Sequence, residues 1–393
     1  MIFQRTITPK LEQYLSVKEI IVLTGMRRVG KTTLLKHLFN KVESTNKIML
    51  DVGSPIVRSY FEELDYDNIW ANLRNLGINK SQKSYIFLDE IQDMPEITKA
   101  IKYLYDHYDV KFVVTGSSSY YLKNLFPESL AGRKFVFELH PLNFEEFLVF
   151  KGINKRFSTN LDEIAQTKNK IDYEINKSFY NEYLEWGGFP EVVLEDNPEL
   201  KKLKIEDIFK AYFEKDVKGL ASFSDLPKFR DLMLLLIQRI GTKLDISKLG
   251  AEIEITRPTV YSYLSFLEST YFLSLVKPYS KSVDREVSGA SKIYICDTGL
   301  INILGKVNEG SILENSVYIN LRKYGKINYY EKRKGGEVDF IIDQKTALEV
   351  KTKATMKYIS DINRKTKTLN LENHYIISRM FVNNPNVIIA QDL

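Results

Sequence analysis

The stretch GMRRVGKTT, residues 25–33, decides the fold predicted for the amino-terminal part of the chain. Its first eight residues fit the pattern G-x-x-x-x-G-K-[ST]. The apolar run EIIVLTG (19–25) before it predicts a buried strand, and TLLKHLFNKV (33–42) after it has apolar residues at helical spacing. Strand, glycine-rich loop and helix in this order are the context that the motif requires, so a P-loop domain with a parallel α/β sheet is predicted.

The residue types of this stretch suit phosphate binding. Gly25 and Gly30 let backbone N–H groups wrap around phosphates, Lys31 neutralises the β- and γ-phosphate oxygens, and Thr32 offers a hydroxyl to Mg²⁺. ATP and Mg²⁺ are therefore the predicted cofactors.

Two further apolar strands extend the prediction. SYIFLDEIQ (84–92) ends in adjacent acids, of which Asp89 would hold Mg²⁺ through water and Glu90 would orient or activate the attacking water. KFVVTGSSS (111–119) ends in small polar residues that would contact the γ-phosphate. A strand lying between the P-loop strand and the acidic strand would give the ATPase subclass with a dedicated glutamate.

The predicted sheet gains one more strand from KIMLDV (47–52). A further candidate is Arg133, which would stabilise charge on the transferred phosphoryl group within its own subunit or across a subunit boundary. Action across a boundary would require a homo-oligomer. A solvent-facing Arg133 is the alternative, with Arg27 and Arg28 inside the P-loop as the sensing cations instead. The predicted nucleotide contacts are Gly25, Arg28, Gly30, Lys31, Thr32, Thr33, Asp89, Thr115 and Ser117.

Composition limits the class of protein. The 393 residues are 44% apolar and 27% charged, which indicates a folded chain of more than one domain. Residues 311–393 hold 14 Lys and Arg against 9 Asp and Glu, so the whole net charge of +5 lies there. This bias points weakly to nucleic acid, and solvated lysine-rich helices are an equally supported alternative. If the partner is nucleic acid, DNA is favoured over RNA.

Cysteine and hydropathy patterns narrow the setting. Cys296 is the single cysteine, so no internal disulfide forms, and the four histidines have no zinc-ligand spacing. No apolar run approaches the roughly 18 residues that a membrane span needs, and no signal peptide is evident. A cytoplasmic protein without a membrane partner is predicted.

The middle of the chain predicts a winged helix. KLDISKLGAEIEITRPTVYSYLSFLESTYFLSLVKPY (243–279) has the pattern of a helix-turn-helix followed by a wing, with an N-cap at Thr256 and a proline in the first turn at Pro258. Arg257 is balanced by Glu268, so phosphate-binding charge is thin. A structural or protein-binding winged helix is at least as well supported as a DNA reader.

The carboxy-terminal segment predicts helix, three strands, helix and strand from residue 312 onward. Alternation in EVDFIID and ALEVKTK predicts that each strand buries one face and, if the register matches, that Asp339, Glu349 and Lys351 share the other. Two carboxylates suit Mg²⁺, and a lysine suits charge stabilisation at phosphorus. The trio resembles the D…(E/D)-x-K signature of restriction-endonuclease-like nucleases, and that resemblance implies a metal set of Glu314, Asp339 and Glu349, in which Glu314 matches the acid of the preceding helix. A surface hairpin with paired charges is the alternative.

Several motifs together resemble a family of prokaryotic AAA+-like ATPases. They are GMRRVGKTT, IFLDEIQ, VVTGSS, SLAGR, WGGFPEV (186–192) and GGEVDF. In that family a P-loop domain is followed by a winged helix and a restriction-endonuclease-like carboxy-terminal domain of unknown function. The resemblance spans nearly the whole chain and implies that the D…E-x-K set belongs to a nuclease-like fold.

The sequence therefore predicts four regions in an α/β protein: an ATPase domain (1–150), a connector and helical lid (151–225), a winged helix (226–285) and a restriction-endonuclease-like domain (286–393). The function predicted is an ATP-hydrolysing switch coupled to a metal-dependent nuclease-like domain. A regulatory ATPase with an inactive end domain and a winged-helix DNA-binding regulator are the two alternatives.

Overall fold

The structure, a computed structural model, describes residues 3–117, 132–155, 157–218, 225–332 and 336–393. The described residues form two compact units. The first unit takes its residues from Met1–His140, Ala211–Ala221 and Ser269–Tyr271. The second takes them from Pro141–Lys210, Ser222–Glu268 and Phe272–Leu393. The four predicted regions remain a prediction.

The first unit contains a five-stranded sheet whose neighbouring strands all run parallel. Its strands are β1 (Ile20–Thr24), β2 (Lys47–Asp51), β3 (Ser84–Asp89), β4 (Val110–Gly116) and β5 (Lys134–Glu138). Their order is β2-β3-β4-β1-β5, so β4 lies between the P-loop strand and the acidic strand. The predicted P-loop sheet with an inserted strand is confirmed.

Helices lie between these strands because each parallel connection must return to the same end of the sheet. They are α1 (Thr8–Tyr14), α2 (Lys31–Lys41), α3 (Pro55–Ser59), α4 (Tyr66–Asn75) and α5 (Ile97–His107), with a 3₁₀ turn at Ile91–Asp93. A buried cluster that includes Val22, Ile86 and Phe112 fills the space between sheet and helices. The unit also includes a π-helical turn at Tyr212–Val217.

The second unit begins with helices. These are α6 (Phe144–Phe150), α7 (Leu161–Thr167), α8 (Lys170–Trp186), α9 (Pro190–Val193), α10 (Pro198–Ala211, whose last residue belongs to the first unit), α11 (Leu226–Ile237), α12 (Ile246–Glu252) and α13 (Arg257–Ser269). A two-stranded antiparallel sheet of β6 (Leu273–Val276) and β7 (Lys292–Ile295) follows, with α14 (Val283–Ser288) between its strands. The predicted winged helix is therefore present as α11 to α13 and this sheet.

The second sheet is mixed. After α15 (Thr298–Leu304), α16 (Glu309–Leu321) and a 3₁₀ turn (Arg322–Tyr324) come β8 (Ile327–Glu331), β9 (Glu337–Ile342), β10 (Thr346–Lys351), α17 (Met356–Leu369), β11 (Asn373–Ser378), β12 (Val387–Ile389) and a 3₁₀ turn (Ala390–Asp392). The strand order is β12-β11-β10-β9-β8. The predicted helix and strand sequence is confirmed, and β12 adds a short edge strand.

A buried carboxylate explains the double glycine of WGGFPEV. Gly187 follows α8 with φ +76°, and a Cβ there would lie 2.2 Å from Asp297 Oδ1. The backbone N–H of Gly188 donates to Asp297 Oδ2 at 2.6 Å, and a Cβ on Gly188 would lie 2.1 Å from the Leu142 carbonyl oxygen. The motif is thus a close backbone packing point within the second unit.

Candidate functional site

The phosphate-binding loop lies at the carboxyl end of β1. Gly25 has φ +151°, and a Cβ there would lie 2.0 Å from the carbonyl oxygen of Leu139. Gly30 has φ +98° at the start of α2. The two motif glycines are therefore required by conformation and, at Gly25, by space as well. Thr32 is half-buried and Thr33 exposed on the first turn of α2.

Lys31 points back into this loop. Its side chain is buried, and Nζ donates to the carbonyl oxygens of Gly25 and Met26, each at 2.9 Å. Burial lowers the pKa of Lys31 to about 8, while the negative charges of Glu90 and Asp216 oppose the fall. Lys31 is therefore mainly protonated at neutral pH and is held by the loop itself.

The ends of β3 and β4 bring the predicted acids and hydroxyl together. The Thr115 hydroxyl donates to Asp89 Oδ1 and accepts from the Glu90 backbone N–H at 3.2 Å. Glu90 has φ +54°, a left-handed conformation that is uncommon for a residue with a side chain. Such conformations recur at functional sites.

Gln92 is a residue that the sequence analysis left without a role. Its Nε2 donates to Glu90 Oε2, and its Oε1 accepts from the Ser117 backbone N–H at 3.2 Å. Ser117 Oγ is buried and has no hydrogen-bond partner among the described residues. Gln92 thus connects Glu90, the predicted general base, to the end of β4. The signal available in the sequence was the polar side chain of Gln92 itself, two positions after Glu90.

Arg27 is paired within the first unit. Its Nε lies 2.9 Å from Asp216 Oδ2, in the π-helical turn. Arg28, which the sequence analysis chose as a nucleotide contact, is exposed and has φ +67°. No signal in the sequence links Arg27 to a residue so far along the chain.

Arg133 does not lie with the phosphate-binding loop. Its backbone carbonyl accepts from the N–H of Ile20, the first residue of β1, so it lies at the opposite edge of the sheet. Its guanidinium pairs with Asp106 at 2.8 and 3.1 Å. The predicted role within its own subunit is therefore wrong, because the strands separate Arg133 from Lys31. Residues 129–131 of SLAGR lie outside the described residues.

The P-loop residues fit the predicted magnesium ion chemically. The Thr32 hydroxyl and the Asp89 carboxylate are oxygen donors of the kind that Mg²⁺ prefers. The unpartnered Ser117 hydroxyl adds a polar group at the same edge of the sheet.

The carboxy-terminal sheet gathers the D…E-x-K residues. β9 and β10 pair as far as Leu348 opposite Phe340, and Asp339 and Glu349 are the residues next to this last pair on their two strands. Asp339 Oδ2 also accepts from the Val350 backbone N–H at 2.7 Å. The predicted common face is therefore present, but both carboxylates are buried rather than solvent-facing.

Lysines occupy both oxygens of Glu349. Lys351 Nζ lies 3.0 Å from Oε1, and Lys365 Nζ of α17 lies 2.9 Å from Oε2. Burial lowers the pKa of Lys351, but the charges of Asp339 and Glu349 outweigh it and leave the pKa above its ordinary value. Lys365 was missed because it lies in a helix with no motif of its own.

Glu314 joins this cluster through the wing strand. The Tyr294 hydroxyl of β7 donates to Glu314 Oε1 at 2.8 Å. Lys292 of the same strand is buried, pairs with Glu337 and lies 4.0 Å from Glu314. Burial first and the charge of Asp339 second raise the pKa of Glu314 to about 7. Lys292 and Tyr294 are residues of this cluster that sequence reasoning missed.

As arranged, the cluster does not fit a metal ion. No three Asp, Glu, His or Cys side chains in the described parts of the chain are placed to hold one together. Lysines also lie beside both oxygens of Glu349, so a cation there would compete with two ammonium groups. The predicted metal set of Glu314, Asp339 and Glu349 is thus brought near but not assembled.

The wing region carries an open groove. It has a volume of about 860 Å³ and is lined by Arg257 and Tyr261 of α13 and by Lys243 and Lys277, among others. Lys243 pairs with Glu331 at 2.9 Å, and Lys277 donates to the Val287 carbonyl oxygen at 3.1 Å. These two lysines therefore face protein acceptors, in line with the thin phosphate-binding charge predicted.

Comparison with known proteins assigns two segments to families. Residues 17–148 match the model of an AAA domain, and residues 177–311 match that of a domain of unknown function. The uncharacterized protein MJ1544 of Methanocaldococcus jannaschii is 30% identical over 352 residues, covering 86% of this chain and 75% of that protein. An uncharacterized protein of Haemophilus influenzae is 27% identical over 354 residues, covering 87% and 84%.

Solved structures show weaker similarity. The ORC1 protein of Aeropyrum pernix, solved in complex with DNA, is 14% identical with a TM-score of 0.31, covering 78% of this chain and 91% of that one. Cdc6p of Pyrobaculum aerophilum is 15% identical with a TM-score of 0.32, covering 80% and 96%. Among the described residues, no helix is both long and apolar enough to cross a bilayer.

Proposed function

The chain belongs to the same family as MJ1544 of Methanocaldococcus jannaschii and carries an AAA domain, and from this premise we propose that it binds ATP with Mg²⁺ and hydrolyses it. The observation that carries the proposal is Lys31, buried in a glycine loop with loop carbonyls as its hydrogen-bond acceptors. A nucleotide phosphate can replace those carbonyls because it offers stronger, charged acceptors.

The proposed roles follow from position. Lys31 and the loop N–H groups bind the β- and γ-phosphates, and Thr32 and Asp89 hold the magnesium ion, which would neutralise phosphate charge. Glu90, set by Thr115 and Gln92, orients and deprotonates the attacking water. Ser117 lies at the end of β4, where a γ-phosphate would meet its hydroxyl.

Phosphate release from ATP tests this proposal. Lys31→Ala is expected to lose nucleotide binding. Glu90→Gln should bind ATP normally but hydrolyse it about 10²–10⁴-fold more slowly, because it lacks the base. Lys36→Ala, an exposed lysine on the same helix, is the matched control and should hydrolyse ATP at the native rate. Native-like turnover by Glu90→Gln would contradict the assigned role.

We further propose that the carboxy-terminal cluster acts on the phosphodiester backbone of nucleic acid, DNA rather than RNA, under control of the nucleotide state. The observation that favours this is Lys351, held beside Glu349 on the strand next to Asp339. A lysine among buried carboxylates suits stabilisation of charge at phosphorus. Because no three ligating side chains are placed together among the described residues, no step through a metal ion is assigned.

Cleavage of plasmid and single-stranded DNA, with Mg²⁺ or Mn²⁺ and with or without ATP, tests this second proposal. Cutting should be lost in Lys351→Ala and altered in Glu90→Gln. Lys345→Ala, an exposed lysine before β10, should cut like the native protein. Intact ATP hydrolysis without any cutting would instead favour a regulatory ATPase whose end domain only binds.

A winged-helix DNA reader remains the third candidate. Its test is DNA binding by Arg257→Ala, since Arg257 lines the groove beside α13. Loss of binding in that variant, with no effect of Lys351→Ala, would favour a sequence-reading regulator over the nuclease-like proposal.

A further inference from the structure

A buried ion pair stands beside the phosphate-binding loop. Arg27 lies inside the loop, and its Nε is 2.9 Å from Asp216 Oδ2. The Asp216 side chain is 2% exposed, whereas the Arg27 side chain is 16% exposed. Such a pair is nearly removed from water, so a change in either charge has a large effect on its surroundings.

Asp216 is only half satisfied. Its other oxygen, Oδ1, is buried and has no hydrogen-bond partner among the described residues. A buried carboxylate oxygen without a donor costs free energy, and such exceptions call for a functional explanation. The residue also lies in a π-helical turn, Tyr212–Val217, a rare conformation that is often found at functional sites.

The charges near Asp216 are those of the nucleotide site. Burial raises the pKa of Asp216 to about 6, and the positive charges of Arg27 and Lys31 oppose the rise. Glu90 adds further negative charge close by. Phosphates bound at Lys31 would therefore meet an arginine that is already paired with a carboxylate.

We propose that Asp216 is a positioning residue of the nucleotide site. In the nucleotide-free protein its carboxylate is the counter-ion of Arg27, and when nucleotide binds, Arg27 leaves Asp216 and pairs with the phosphates. The inference rests on the proposed ATP binding. Its consequence is that Asp216 lowers nucleotide affinity, since the phosphates must displace it from Arg27.

The position of Asp216 along the chain indicates what the release of Arg27 could do. Residues 211–221 belong to the first unit, but the chain on both sides of them, 141–210 and 222–268, belongs to the second. A displaced Asp216 would loosen the π-helical turn within this crossing segment. Nucleotide occupancy would thereby be passed along the backbone toward the second unit.

Binding of a non-hydrolysable ATP analogue with Mg²⁺, measured by calorimetry, tests the proposal. Asp216→Asn should bind about tenfold more tightly, because it keeps the shape but not the charge of the competitor. In an Arg27→Ala background the same substitution should change the Kd less than threefold, since Asp216 acts through Arg27. Glu214→Gln, an exposed acid of the same turn, should leave the Kd unchanged.

Equal or weaker binding by Asp216→Asn would overturn the inference and leave the pair as a structural ion pair. Should that variant not fold, hydrogen exchange of the native chain decides: residues 212–217 should exchange faster with the analogue bound, and unchanged or slower exchange counts against the idea. If the native protein binds no analogue at all, the ATP proposal fails first. Native binding with no effect at Asp216 defeats only this inference.

Discussion

Single residues set the chemistry of the phosphate-binding loop and of the carboxy-terminal cluster. Lys292 of the second cluster is buried although it carries a charge. Its buried ammonium pairs with Glu337 and faces Glu314, so it offsets negative charge around Asp339. Removing one partner of a buried pair typically costs about 3–5 kcal/mol, because the remaining charge is left uncompensated.

Lys292→Met should therefore lower the melting temperature of the protein by several degrees. Adding Glu314→Gln should recover part of the loss, since it removes one of the carboxylates left behind. Lys345→Ala, which breaks an exposed pair with Glu372, is the control and should shift melting by less than a degree. No recovery in the double variant would mean that Lys292 acts through packing rather than charge.

Asp297 should make stability depend on pH. Burial raises its pKa from 3.8 to about 6, although backbone N–H groups such as that of Gly188 oppose the rise. The folded protein holds this proton more firmly than the unfolded chain, so Asp297 contributes most at pH values below 3.8 and least above 6. The difference corresponds to about 3 kcal/mol, at about 1.4 kcal/mol per pKa unit.

The measurement compares the native protein with Asp297→Asn, which does not titrate. Asp297→Asn should melt lower, because Gly188 and Leu300 donate to different oxygens of Asp297 and the amide nitrogen of asparagine would face one of these two donors. The gap in melting temperature should narrow as the pH rises from 4.5 to 7. A gap that is constant or widens with pH would show that Asp297 is ionised throughout this range.

Among the elements, the parallel sheet could be predicted because its signals are local. Apolar runs ending in Gly25, Asp89 and Thr115 indicated three strands whose carboxyl ends meet at one edge. The position of Arg133 could not be predicted from such a run, because its motif begins before β5. Its partner Asp106 lies in the last turn of α5. The pairing of Arg27 with Asp216 depends on tertiary structure alone.

The strands of the carboxy-terminal sheet could be predicted equally well, but the burial of their carboxylates could not. Alternation predicted one open face for β9 and β10, whereas side chains from α16, α17 and β7 close over Asp339 and Glu349. These covering residues, Lys292, Tyr294 and Lys365, sit in elements that periodicity identifies only as apolar or mixed. Sequence therefore indicated the carboxylates but not the groups that neutralise them.

The glycine turn after α8 supplies a prediction for an element. Gly188→Ala should destabilise the second unit by about 3 kcal/mol or more, because the new Cβ would lie 2.1 Å from the Leu142 carbonyl oxygen. Gly310→Ala, in the first turn of α16 and 3.1 Å from a single side-chain atom, should be neutral or slightly stabilising. Thermal melting of both variants checks the contrast, and equal melting would refute the packing argument.

For the whole molecule, the first unit is not a continuous piece of chain. Besides residues up to His140 it includes Ala211–Ala221 and Ser269–Tyr271, and the Tyr212 hydroxyl lies 2.7 Å from Thr270 Oγ1. A fragment of residues 1–150 lacks both segments and leaves Arg27 without Asp216.

Such a fragment should therefore melt at least several degrees below the first transition of the full chain. Limited proteolysis of the full chain should release no stable fragment ending between residues 140 and 150. Release of a stable, nucleotide-binding 1–150 fragment would show that the two later segments are dispensable.

The assembly of the first unit from three separate segments also limits how its gene can recombine. A recombination event that replaces residues 1–140 with those of a relative would bring in foreign residues at positions 27 and 138 while leaving their old partners, Asp216 and Tyr271, behind. Only exchanges that also carry the two short later segments preserve the matched set. Recombination near residue 140 should therefore be selected against, so that the first and second units are inherited together.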